Sequence, residues 1–136
     1  MINSFYPVMC VDRPREVADF YIDHFAFTVT FEADWYVSLR REGTRAFELA
    51  VVDAAHPTVP EGYGLAVRGL LLNIEVPDVD AEWRRLVDGA SLPVVLPIRS
   101  EGFGQRHFIV SDPAGVLVDV ITEIEPAPEF ASAFRA

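Results

Sequence analysis

The sequence predicts an α+β protein built from two βαβββ repeats. Two apolar runs of strand length, 5–11 and 70–76, are each followed by an acidic residue and a stretch with helical spacing. Three more strand-like runs follow each helix. Near the end of each half, one such run encloses a single acid: Glu48 in Phe47-Glu48-Leu49-Ala50-Val51, and Asp119 in Val118-Asp119-Val120-Ile121.

The elements follow in order. Pro7 within the first run points to an edge or bulged strand. Asp12 is placed to cap a helix whose first turn holds Pro14. Val17, Phe20, Tyr21 and Phe25 form its apolar face and carry it to about residue 25. Strands are predicted over 27–31, 35–40 and 47–52, with turns at Ala33-Asp34 and Glu42-Gly43-Thr44. These make module one, 1–53. The linker, 54–69, carries His56, Pro57, Pro60, Gly62, Gly64 and Gly69 and reads as a loop. Module two, 70–122, opens with a strand that Pro77 breaks. Asp78 then caps a helix burying Val79, Trp83, Leu86 and Val87. A short strand, 93–98, precedes a polar connection, 99–104. The closing hairpin spans 104–122 around Asp112-Pro113-Ala114-Gly115. In that turn Asp bonds the backbone ahead of it, Pro presets φ, and Gly makes the exit. The tail, 123–136, carries Phe130 and Phe134 and is expected to dock.

With 136 residues and a mean hydropathy of +0.21, the chain suits a single globular domain. Its net charge of -10 argues against nucleic acid or an anionic membrane as partner, since both need a basic face. A cationic ligand stays compatible. Cys10 is the only cysteine, which excludes an internal disulfide. With no secretory pattern at the N-terminus, this predicts a cytoplasmic location. No apolar run reaches the length of a membrane span.

A carboxylate within an apolar strand, such as Asp119, either faces water or lines a polar cavity, because burying it unpaired is costly. The matching place of Glu48 in the other repeat favours a shared polar cleft. Trp35, Tyr36 and Tyr63 suit either a flat wall for an aromatic ligand or the core. His24 sits where a helix C-terminus favours a cation, and His56 lies in the loop. The three histidines have no ligand spacing. Ser4, Ser38, Ser100 and Ser111 lack a G-x-S-x-G context, no base neighbours Cys10, and no Gly-rich phosphate loop is present. These absences argue against a nucleophilic or a nucleotide enzyme.

The βαβββ repeat, the stretch FYIDHFAF and the stretch SDPAGVLVDV resemble the vicinal oxygen chelate superfamily over residues 5–122. That family includes glyoxalase I, the bleomycin-resistance proteins, fosfomycin-resistance transferases and extradiol dioxygenases. The resemblance implies an eight-stranded incomplete barrel around a central cup, and commonly a homodimer. In the family's enzymes, the first and last strands of each module hold a divalent metal. Carried over, those positions are Phe5, Glu48, Leu71 and Asp119, with Tyr6, Leu70 and Leu72 as neighbours. Phe5 and Leu71 have no donor atom, and two carboxylates alone give only a weak divalent site. No cofactor is therefore expected. The metal-free bleomycin-resistance proteins become the better comparison.

The resemblance further implies that Ile109 faces the cup, and His107 shares its parity. Beside Asp119 the charged imidazole is favoured, fitting a ligand contact, a proton carrier or a hydrogen-bonded rim residue. Fosfomycin-type relatives place a basic residue near the position of Arg99; Arg106 flanks the same loop. Asn73 shares the parity of Leu71. The expected ligand-binding set is Glu48, Asn73, Arg99, His107, Ile109 and Asp119, and His107 and Asp119 are the catalytic candidates. The expected function is binding a cationic or aromatic small molecule in the cup, without a complete metal site. The alternative is a lyase or isomerase of glyoxalase type, either metal-dependent or using His107 and Asp119 for proton transfer. A third is an interaction module.

Overall fold

Pro7 has no N–H to give to a ladder, and in the computed structural model strand β1 starts only after it, at Val8–Val11 rather than at residue 5. The structure describes residues 1–135. They form two compact units, divided between Gly69 and Leu70.

In the first unit, helix α1 (Pro14–Phe25) follows β1. Its cap position falls on Arg13, not Asp12, and no side chain caps it. The residue before a proline is held extended, and Arg13 has φ -133° and ψ 82°, so the helix cannot reach back to Asp12. Its face of Val17, Phe20, Tyr21 and Phe25 is buried as the spacing predicts. The helix ends in a left-handed turn at Ala26, φ 58°. Strands β2 (Thr28–Ala33), β3 (Tyr36–Arg41) and β4 (Phe47–Asp53) follow. The sheet order is β1-β4-β3-β2, with β1 and β4 parallel and the other pairs antiparallel. Helix α1 packs on β3 and β4. Segment 54–69 belongs to this unit. Ala54 N–H donates to the Val11 carbonyl at 2.9 Å and Val67 N–H to the Cys10 carbonyl at 2.8 Å, which ties the loop to β1.

The second unit repeats the order. Strand β5 (Leu71–Glu75) leads to helix α2 (Val79–Trp83), which widens into a π-type turn over Arg84–Gly89. Asp78 caps it as predicted, accepting from Ala81 N–H at 3.1 Å. Val79 and Leu86 are buried, while Trp83 and Val87 are only half-buried. Strands β6 (Val94–Glu101), β7 (Gln105–Ser111) and β8 (Leu117–Glu123) complete a sheet of order β5-β8-β7-β6. Strand β6 runs through Arg99, Ser100 and Glu101, so the predicted connection over 99–104 shrinks to a turn at 102–104. The tail does dock: a 3-10 turn over Pro128–Ala133 lays Phe130 edge-on against Phe103. Phe134 stays exposed.

Two α+β units of βαβββ order are thus present, each with a four-stranded mixed sheet. No described helix is long and apolar enough to cross a membrane.

Candidate functional site

The hairpin of β7 and β8 is set by its turn. Asp112 Oδ1 accepts from Ala114 N–H at 2.8 Å and from Val116 N–H at 2.9 Å. Gly115 takes φ +81°, which favours glycine. The turn fixes the register, pairing Ile109 with Asp119 and Phe108 with Val120. Alternation then separates two faces. Phe108, Val110, Val118 and Val120 are fully buried, and the Trp83 ring from the helix packs edge-on to Phe108 at 5.2 Å. His107, Ile109, Asp119 and Ile121 take the opposite face.

On that face a chain of polar side chains crosses the sheet. His107 Nδ1 lies 2.8 Å from Asp119 Oδ1, and His107 Nε2 lies 2.9 Å from Glu101 Oε2. Arg99 Nε donates to the same Glu101 oxygen at 3.0 Å. His107 and Asp119 are 5% and 6% exposed, so this network is desolvated at its centre. The two contacts of His107 are diagonal ones between neighbouring strands, a geometry within reach of long side chains, while Arg99 and Glu101 are two apart on β6. Asn73 on β5 pairs in register with Asp119 and is exposed. Ile109, half-buried, stands beside Asp119 on β7.

Two ionised carboxylates facing two ring nitrogens require a donor at each, and only the imidazolium supplies both. Burial alone would lower the His107 pKa, but the bonds to Glu101 and Asp119 outweigh it and hold it above the ordinary 6.5. Hydrogen bonding to His107, then to Arg99, keeps Glu101 below the usual carboxylate range. Burial raises Asp119, and His107 offsets that only in part.

Glu48 accepts a hydrogen bond from Ser4 and lies 3.9 Å from Arg40 across the strand pair. Each acid therefore has its own cationic partner: Arg40 for Glu48, His107 for Asp119. Arg106 turns to the helix side and grips Asp80 through both of its carboxylate oxygens, at 2.9 and 3.1 Å. His24 packs edge-on to Phe20, and His56 stacks on Trp35 at 3.8 Å. Tyr36 is flanked by Trp35 and Phe31, while Tyr63 is exposed in the loop. An open depression of about 490 Å³ lies wholly within residues 54–65 of the first unit and includes none of the network residues.

The metal positions implied by the resemblance do not form a donor set. Phe5 precedes β1 and is exposed, and Leu71 pairs with Leu117; neither has a ligating atom. Asp119 and Glu101 occupy opposite nitrogens of one ring, so a single ion cannot be reached by all three side chains. Among the described residues, no three His, Cys, Asp or Glu side chains are grouped to hold a metal ion.

Glu101 was not among the predicted site residues. The signal was present: Arg99 and Glu101 share a parity that continues the 93–98 strand, and Gly102-Phe103-Gly104 is the shorter turn.

The Glyoxalase/Bleomycin resistance protein/Dioxygenase superfamily profile matches residues 4–120. Among solved structures, a glyoxalase/bleomycin resistance protein/dioxygenase from Nocardioides superposes with TM-score 0.73 at 16% identity, covering 94% of this chain and 88% of that one. Lactoylglutathione lyase from Agrobacterium tumefaciens gives TM-score 0.67 at 21% identity, with 89% and 94% covered. TioX from Micromonospora sp. ML1 gives 0.70 at 17%, with 90% and 100% covered. At these identities the likeness is one of fold. Among curated proteins, none matches the chain.

Proposed function

We propose that this chain, which belongs to the Glyoxalase/Bleomycin resistance protein/Dioxygenase superfamily, binds a small organic molecule on the helix-free face of its second sheet. One observation carries the reading. An Asp119–His107–Glu101 network, buried at His107 and Asp119, lies on a face whose neighbours include exposed Asn73 and half-exposed Leu71. Polar groups at fixed positions beside apolar ones are the composition of small-molecule sites. The acidic chain, at net charge -10, favours a cationic aromatic ligand over an anionic one. Binding needs no resident metal in this reading, in keeping with the missing donors at Phe5 and Leu71. Of the alternative glyoxalase-type lyase or isomerase, the metal-dependent form needs donors that Phe5 and Leu71 lack, and the proton-transfer form through His107 needs a ring nitrogen turned to substrate. Both nitrogens of His107 hold carboxylates, which favours binding.

The test is a thermal-shift screen of cationic, neutral and anionic aromatic compounds, with divalent metal salts in parallel. A native-state ligand raises Tm by mass action. The expected result is a rise with cationic aromatics that Asp119→Asn reduces and that metals neither cause nor enhance. Stabilisation of wild type and Asp119→Asn to the same extent would overturn the assignment to this face. A metal-dependent rise would overturn the metal-free reading.

A further inference from the structure

The tail is fastened to the turn that follows Glu101. Ala127 N–H donates to the Gly102 carbonyl at 2.8 Å, and Ile124 N–H donates to the Gly104 carbonyl at 2.9 Å. Phe130 meets Phe103 edge-on at 6.3 Å, and Phe103 meets His107 edge-on at 6.4 Å. The fit is close. A Cβ on Gly102 would come within 3.2 Å of the Phe130 ring, and one on Gly104 within 3.1 Å of the Ile124 carbonyl oxygen. The 3-10 turn itself buries no residue, so its contacts are spent on this turn rather than on a core of its own.

Glu101 needs such support. It is the last residue of β6, whose pairing with β7 is irregular before Arg99. Its side chain is 20% exposed, and Arg99, itself exposed, pulls on the same oxygen that His107 uses. Apart from the tail, the turn is closed by the Gly104 N–H bond to the Glu101 carbonyl at 3.1 Å and by the Glu101–Gln105 strand pair, neither of which holds the Glu101 side chain.

We propose that Phe130 is a positioning residue: by packing the 102–104 turn, it keeps the Glu101 carboxylate on Nε2 of His107 and so holds the imidazole between its two acids. The charged groups concerned are few. Glu101 and Arg99 come from β6 and Asp119 from β8, while Arg106 on β7 is turned away to Asp80. From the tail, Glu129 reaches the turn, its Oε1 within 3.7 Å of a Cβ on Gly102. The device works whether or not the sheet face binds a ligand, so it stands or falls apart from the proposed function.

The experiment is an NMR titration of the His107 imidazole in the full chain, for wild type, Phe130→Ala, Phe130→Leu, Ala127→Pro, Glu101→Gln and the Phe130→Ala/Glu101→Gln pair. Ala127 already has φ -62°, so proline there removes the N–H bond to Gly102 with little backbone strain, a second route should Phe130→Ala not fold. The expected result is a lowered His107 pKa in Glu101→Gln and, in the same direction, in Phe130→Ala and Ala127→Pro, with recovery in Phe130→Leu. Phe130→Ala should add nothing once Glu101 is Gln. A wild-type His107 titration in both Phe130→Ala and Ala127→Pro would overturn the proposal. So would a Phe130→Ala effect that persists undiminished in the Glu101→Gln background.

Discussion

Asp119→Asn keeps the shape of the side chain and leaves an oxygen that accepts from His107, but removes the charge. In the wild type that oxygen sits 2.8 Å from Nδ1, and both residues are buried. A hydrogen bond to a charged group contributes about 1.5–3 kcal/mol, and a neutral one about 0.5–1.5 kcal/mol. The expected loss while His107 is charged is the difference, about 1–1.5 kcal/mol. For a chain of this length that is roughly 3–8 °C in Tm. The sign depends on pH. The folded pKa of His107 is raised, so its stabilisation is complete below the ordinary 6.5 and is lost as pH rises through the folded value. Asp119 is raised by burial, so the folded protein carries its ionised form at a cost. Once His107 is neutral, its ring keeps a single N–H for two carboxylates, so most of the offset is lost, and removing the charge relieves part of the cost. The gap between wild type and Asp119→Asn is therefore widest at about pH 6 and closes or reverses above the His107 titration. Calorimetric or circular-dichroism melts across this range measure it. Equal melting of the two proteins at about pH 6, or a gap that widens as pH rises, refutes the reasoning.

Two further outcomes are expected. Asp112→Ala leaves the Ala114 and Val116 N–H groups without their acceptor, and should cost about 2–3 kcal/mol in urea denaturation. Ala26→Gly relieves a left-handed residue at an exposed helix end, and should raise stability by about 0.5–1 kcal/mol in the same assay.

The βαβββ order was readable because each element has a local signature. The spacing of Val17, Phe20, Tyr21 and Phe25 marks one helix, Asp78 starts the other, and Asp112 to Gly115 define the hairpin. The pairing of His107 with Asp119 was also within reach, since strand parity and a two-strand turn set it. Glu101 was harder to find: strand parity continues from 93–98 to it, but polar residues near glycines read equally well as loop, so its role depended on how far β6 runs. The cap at Arg13 was missed for a different reason: the sequence rule favours Asp12, but Pro14 dictates the conformation of the residue before it. The partner of Glu48 was hidden in the β3–β4 register, which sets Arg40 opposite it. The role of Phe130 was invisible, since nothing in a tail's composition says which turn it will cover.

In each unit the first strand pairs in parallel with the last, Val8 with Ala50 and Leu71 with Leu117. A parallel pair cannot be closed by a tight hairpin, so the seam forms only after the intervening helix and two strands have been made. During synthesis, the first strand of each unit must wait, with its apolar side chains unsatisfied, for the ribosome to deliver the fourth. Such long-range closure is slow relative to helix formation and leaves sticky intermediates exposed. The first unit has its own fourth strand, β4, before any of the second is translated. The chain thus divides its waiting time into two short intervals instead of one long one, a kinetic benefit of repeating a small motif.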